Sequence, residues 1–547
     1  MADSIPIRRL DQRPLRTAIL SKGRSFVPGL SQEKLIRYFF GANALVAIIV
    51  LGLIMLSLFS ESVGFDPANG FFGQNERSLQ VYRLAGLEFV DIIKKETADL
   101  DALGKTLGDA RLHELQRQVA TATQKGAPAD QALAAANASL APLDDYTDKL
   151  SNLGNDLNAI ISPLSDQASA TKDALNTVVD KKAEKALYLR MGKTDLADKV
   201  SYQEVDLAAA TQPMKDALPS IEAANVKLTA DLNTLLTTPP PALDPAMATD
   251  LDGFNAQIRR VLADLPVHQN ELETWDPNKP LAWYSGLVDF FFNTNWLTAS
   301  SWQDHYGILP LLVGSLLISA VALAIGVPLG VGAGIYINQL GTPWEQHIIK
   351  PAIEFISAIP SVVLGFFGVE VLGEFLRQLS RWGILPPFSE RLNVLNAGIL
   401  LAFMAVPTIF TLTEDAINNV PRSFKEASYA LGANRLQTIW RIILPASLSG
   451  VISAVLLGFG RVIGETMVVL LCAGNRIAIP PLSDGLMVLF QPVHTMTGII
   501  AQELGEVEKG SIHWHALFMV GLLLFVISLV VNFLAQRVVQ RFKISIG

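Results

Sequence analysis

The sequence predicts an all-α membrane protein: six transmembrane helices, with a large polar helical insert between the first and the second. Three observations predict it. Mean hydropathy is +0.34, half of the residues are hydrophobic and only 17% are charged, too apolar for an ordinary soluble enzyme of 547 residues. Six apolar segments are long enough to cross a hydrocarbon core of ~30 Å at ~1.5 Å per residue. Charge is also unevenly spread. Residues 61–306 hold 35 of the 51 acidic and 21 of the 43 basic side chains, a local net of −14, which leaves +6 for the rest.

In chain order, residues 1–38 form a basic segment with eight Lys or Arg, among them Arg8, Arg9, Arg13, Arg16 and Arg37. That flank places the N-terminus in the cytoplasm. Residues 39–60 then read as an uncleaved anchor. A signal peptide would have a shorter apolar region of ~7–15 residues and a small-residue cleavage site, and "SLFSESVGF" is a poor one.

Residues 61–306 read as an extracytoplasmic helical hairpin or bundle. Leu100, Leu103 and Leu107 recur at helical spacing. So do Leu143, Tyr146, Leu150, Leu153, Leu157, Ile160 and Leu164, and again Ile221, Ala224, Leu228, Leu232 and Leu235. Such stripes belong to helices packed side by side. "TTPPPALDP" (237–245) interrupts them, and "LAWYSGLVDFFFNTNW" (281–296) suits a membrane–water interface.

The domain 307–547 holds five further spans, approximately 307–338, 350–376, 393–417, 442–472 and 514–536. The basic loop 418–441 and the C-terminal "RVVQRFK" then fall inside, as the positive-inside rule favours. Arg377, Arg381 and Arg391 fall outside and are placed at headgroup level. Gly326, Gly330 and Gly334, then Gly450, Ala454 and Gly458, then Gly460 and Gly464, let helices approach closely. Pro328, Pro360 and Pro407 lie within spans, where neighbours must satisfy the freed carbonyls.

Several function classes are disfavoured. The large polar region is acidic, so no nucleic-acid partner is expected. The only cysteine, Cys472, leaves no intrachain disulfide and no cysteine-based metal site. His513 and His515 lack a third ligand in sequence view, so no metal or other cofactor is expected. No GxxxxGK[ST] occurs, so ATP hydrolysis is not expected of this chain and it reads as a non-enzyme.

The most informative stretch is "EASYALGANRLQTIWRIILP", residues 426–445. Gly432 can end one short helix and Pro445 can open the next early in its first turn. This stretch resembles the EAA loop of ABC importer permeases, with Ser428 as the mild departure. "YGILPLLVGSL" (306–316), "IPSVVLGFFG" (359–368) and "GRVIGETMVVLL" (460–471) are similar to the C-type (PstC-like) permease subunits of bacterial phosphate-specific transporters. The resemblance covers about 285–547.

It implies six helices of the type I importer kind, a place in the bacterial cytoplasmic membrane, and ATPase docking through Glu426, Ala427, Ser428 and Gly432. The implied partners are an ATPase subunit dimer, a second permease subunit and an extracytoplasmic phosphate-binding protein, besides membrane lipid. The implied solute is inorganic phosphate. The partner A-type permease, or a permease for sulfate, molybdate or a phosphonate, fits much of the same pattern. A membrane sensor is the alternative of another class, but it has no need of the loop or of four extra spans.

Arg461 and Glu465 lie within an apolar run, where a charge costs roughly 2.5–3.5 kcal/mol on insertion scales. At i and i+4 of one helix they can pair. Two readings stay open: Arg461 contacts a passing anion while Glu465 positions it, or the pair bridges helices. The resemblance implies that both matter for phosphate passage. Ser361 and Thr408, beside span prolines, are further path candidates, with bonding to their own helix backbone as the plainer use.

Overall fold

The computed structural model describes residues 32–65, 70–238, 245–297, 305–386, 388 and 390–541. The basic segment 1–31, residues 239–244 of the proline run and the terminal 542–547 lie outside the described residues. The chain opens with α1 (Gln32–Ser62), α2 (Phe71–Leu84), α3 (Leu87–Gln124), α4 (Ala129–Arg190) and the short α5 (Thr194–Ala197). It continues with α6 (Leu207–Thr237), α7 (Pro245–Glu273) and α8 (Ser285–Phe292).

The insert is a four-helix bundle. α3 packs on α4 and α7, and α6 closes the ring against the same two. The leucine stripes face inward: Leu100, Leu103, Leu107, Leu143, Leu150, Leu157, Leu228 and Leu232 are all buried. In two of the stripes the neighbour takes the inside position. Ile161 and Asn225 are buried, while Ile160 and Ala224 flank the core. α7 adds Phe254, Ile258, Val261 and Leu265.

One polar cluster interrupts this core. The Glu96 side chain is fully buried, and Asn225 Nδ2 donates to its Oε1 at 3.2 Å. His268 Nδ1 stands 3.8 Å from the same oxygen. Glu96 Oε2, Asn225 Oδ1 and His268 Nδ1 have no hydrogen-bond partner among the described residues. Burial pushes the Glu96 carboxyl up to about 7; the Asn225 bond opposes the rise and Asp99 adds to it. Asp99 is itself raised, by burial against the pull of His268 and with help from Asp264.

The fold therefore favours protonated Glu96, and stability falls as pH rises from the ordinary 4.5 through about 7. Amide exchange in α3, corrected for intrinsic rates, is expected to show less protection at pH 8 than at pH 5, by up to ~3 kcal/mol. Glu96→Gln should remove most of that difference. A difference that survives the substitution would assign the pH dependence to other groups.

After α8 comes a short antiparallel ribbon that the all-helical expectation lacks: β1 (Trp296–Leu297) against β2 (His305–Tyr306). Within the aromatic stretch 281–296 only α8 is helical. Its Phe290 is buried against Phe71, while Trp283 and Phe292 are exposed.

The membrane part follows: α9 (Leu309–Ile335), α10 (Pro343–Ala358), α11 (Ser361–Phe367), α12 (Gly373–Arg381) and α13 (Val394–Asn418). Then come α14 (Arg422–Ala430), α15 (Arg435–Thr438), α16 (Leu444–Ile463), α17 (Met467–Cys472), α18 (Met496–Glu503) and α19 (Ile512–Arg541). Among the described residues, five helices are long and apolar enough to cross a membrane, or up to six if the bent pair 343–358 and 361–381 counts as one span. π-helical turns at Tyr336–Leu340, Gly368–Leu372 and Ile439–Ile443 join α9, α11–α12 and α15–α16 to their continuations.

Two expected spans are corrected. The segment expected at 350–376 bends by 93° between α10 and α11. Pro360 cannot donate a backbone hydrogen bond, and Ile359 before it is extended at ψ 125°. The span expected at 442–472 begins at Arg435 and stops at Ile463.

The glycine seams behave as spaced. A Cβ at Gly330 would lie 2.9 Å from Ile409, one at Gly450 would lie 2.4 Å from Ala416, and one at Gly458 would lie 2.7 Å from Ile409. α9 and α16 thus both close on α13, meeting at Ile409, and they touch each other as well. Gly460 differs: its Cβ position faces open space.

Candidate transport and coupling site

α16 ends at Ile463 with Gly464 as its C-cap, and α17 restarts at Met467. Arg461 and Glu465 therefore sit on either side of a helix end. Among the described residues no ion pair joins them, although their i, i+4 spacing allowed one. Arg461 is exposed, and its Nη1 donates to Thr408 Oγ1 at 2.8 Å. That bond crosses from α16 to the turn of α13 that follows Pro407, so the structure joins two of the four path candidates. Thr408 serves the guanidinium and not its own helix backbone.

Glu465 is held from two directions. Its Oε1 accepts from the Met467 backbone at 3.3 Å, and its carbonyl accepts from Thr497 Oγ1 at 2.7 Å. Thr497 lies in the first turn of α18, whose N-cap Thr495 accepts from Gly498 N. Ser315 of α9 accepts from Met496 N at 3.0 Å. Sequence reasoning missed Thr497 and Ser315, because nothing local marks a hydroxyl that bonds a carbonyl 32 residues earlier. Ser361 starts α11 and makes no hydrogen bond with Arg461 or Glu465 among the described residues. A further ion pair within the membrane part, Lys350 with Glu414, ties α10 to α13.

The coupling loop is compact. α14 carries Glu426, Ala427 and Ser428, and Gly432 turns the chain at φ +82°. Only glycine enters that region without penalty. Ser428 is buried and its hydroxyl meets Thr438 Oγ1 at 2.9 Å, which clamps α14 to α15. Asn434 and Gln437 form a reciprocal cap at the start of α15. Pro445 lies in the first turn of α16, although α15 and the π turn carry the helix into it. The result is an open cleft of 530 Å³ lined by Phe424, Ala427, Leu431, Gln437 and Arg441 among others. Leu431 is 89% exposed at its rim.

Comparison with known proteins bears on this geometry. The family described as "Binding-protein-dependent transport system inner membrane component" matches residues 326–544. The probable ABC transporter permease protein YqgH of Bacillus subtilis is 33% identical over 257 residues, 47% of this chain and 79% of that protein. The chain belongs to the ABC transporter permease family. Two further relatives are named phosphate transport system permease proteins. PstC of Pasteurella multocida is 31% identical over 46% of this chain and 81% of its own length. PstC 1 of Mycobacterium tuberculosis is 33% identical over 46% of this chain and 82% of its own length. As a permease of this family, the chain is a multi-pass inner-membrane component that works with ATPase subunits and is not itself catalytic.

Proposed function

We propose that this permease is the PstC-like half of an importer that moves inorganic phosphate across the cytoplasmic membrane. One observation carries the reading: an exposed guanidinium, Arg461, sits at the end of α16 beside the open face at Gly460, oriented by Thr408. A guanidinium offers parallel donors matched to a phosphate group. The names of the PstC relatives support the same solute. Glu465, one turn on, is anchored by Thr497 and sets the shape of the helix end. Ser361, at the start of α11, is the fourth candidate for this path.

The remaining roles follow from this reading. The cleft beside Leu431 takes an element of the ATPase, with Glu426, Ala427, Ser428 and Gly432 shaping it. A second permease chain covers the open face of α16, and a binding protein delivers phosphate on the side of the bundle. Uptake of phosphate, sulfate and molybdate in a strain lacking other importers for each separates the oxyanions. Uptake of sulfate or molybdate alone would replace phosphate in this reading.

Both termini are proposed to lie inside and the bundle outside. Cysteines at the exposed positions Ser151 and Ser423 test this. An impermeant thiol reagent on intact cells should label Ser151→Cys at least several-fold more than Ser423→Cys. Labelling of Ser423→Cys alone would invert the topology.

A further inference from the structure

α4 is longer than its bundle partners for a reason that the bundle does not supply. It has 62 residues against 38 in α3. Ala168 is its last fully buried residue in the bundle core, with Leu175 packed against that core from its edge. The remaining residues, 169–190, extend for ~33 Å. They run beside α2, and the two helices share a groove lined by Gln74, Leu84, Lys172 and Ala183. Ile512, the first residue of the α19 span, lines the same groove.

α2 has 14 residues and covers ~21 Å of that run. Its first residue, Phe71, packs in one cluster with Leu311 of α9 and with Leu517 and Val520 of α19. The start of α2 is thus already level with the ends of two membrane spans, and α4 runs on to Arg190, beyond Ala183, the last of its residues in the shared groove. Gly192, at φ +71°, then turns the chain into α5.

What α4 carries to that level is apolar and basic. Leu187, Leu189 and Met191 are 55%, 53% and 55% exposed, and Leu196 in α5 is exposed too. Residues 185–199 hold Lys185, Arg190, Lys193 and Lys199 against Asp195 and Asp198, a positive balance within a region of net −14. Among the described residues no ion pair engages those four cations; the neighbouring Lys181 and Lys182 are the ones paired, with Glu184 and Glu204.

We propose that the α4–α5 tip is a monotopic membrane contact. Leu187, Leu189, Met191 and Leu196 enter the headgroup and upper acyl region, and Arg190, Lys193 and Lys199 meet anionic headgroups. Apolar side chains flanked by cations that reach back to the interface are the pattern such contacts use. The bundle is then held at two points, its covalent connections to the spans and this tip. The inference is independent of the solute and of the side on which the bundle lies.

The full-length chain in lipid nanodiscs tests it. Leu187→Cys and, separately, Met191→Cys are labelled with an environment-sensitive fluorophore. Gln124→Cys, exposed at the far end of the bundle, is the control. The unsubstituted chain, whose Cys472 is buried, gives the background. Phospholipid carrying a shallow nitroxide should quench the tip probes at least about twofold more than the control, and adding anionic phospholipid should increase the difference. Arg190→Glu with Lys193→Glu should reduce that increase. Quenching equal to the control at both tip positions overturns the proposal. So does blue-shifted emission without lipid quenching, which would mean that protein covers the tip.

Discussion

Arg461→Lys is expected to lower phosphate uptake by roughly ten- to a hundredfold, the worth of a charge-assisted hydrogen bond at the transport step, with the assembled complex at normal abundance. Lysine keeps the charge but loses the planar fork and the fixed bond to Thr408. The absence of an Arg461–Glu465 pair sharpens the expectation. If the two neutralised each other, Arg461→Leu with Glu465→Leu would remove both charges together and restore much of the transport. Here Glu465 is tied to Met467 and Thr497, and Arg461 to Thr408. The double variant should therefore be no better than Arg461→Leu alone. Uptake in a strain without other phosphate importers, with complex abundance measured in parallel, decides the matter. Near-normal uptake by the double variant would remove Arg461 from the anion path.

Gly432→Asp should abolish most coupled transport and ATP hydrolysis while the chain still inserts. The site leaves room, since nothing lies within 4 Å of a Cβ built there. Strain is modest as well. A left-handed residue with a side chain costs roughly 1–2 kcal/mol, and Asp and Asn tolerate the region better than most. What changes is the surface, because a carboxylate appears beside Leu431 at the rim of the proposed docking cleft. Gly432→Asn carries nearly the same strain without the charge and should keep most of the activity. Equal loss in both variants would place the defect in the turn itself, and normal transport by Gly432→Asp would separate the loop from the motor.

The features legible in the sequence were those written within one or two helical turns. The leucine stripes announced the bundle, and Gly326, Gly330 and Gly334 announced a seam that does meet α13. Gly432 announced a turn by lacking a side chain. Features that depend on distant bonds were not legible. The run from Leu456 to Leu471 is continuously apolar around its two charges, yet it breaks after Ile463, where Thr497 takes the Glu465 carbonyl. Thr408 reaches Arg461 across 53 residues. Pro360 was visible, but a proline inside a span permits a kink or a full break, and only packing chooses between them. The length of α4 was hidden for another reason: its leucine stripe stops at Leu164, whereas the helix runs on to Arg190.

The exposed guanidinium of Arg461 also bears on how the protein is made. A span that shows a cation on an open face is an unfinished object in lipid, at roughly the 2.5–3.5 kcal/mol penalty of an unaccompanied charge. On the proposed reading, the penalty ends when a second permease chain closes over that face. On that reading a lone chain would carry a chemical mark of being alone and would lose it on joining its complex. The group proposed to handle the solute would then also set the lifetime of the orphan subunit.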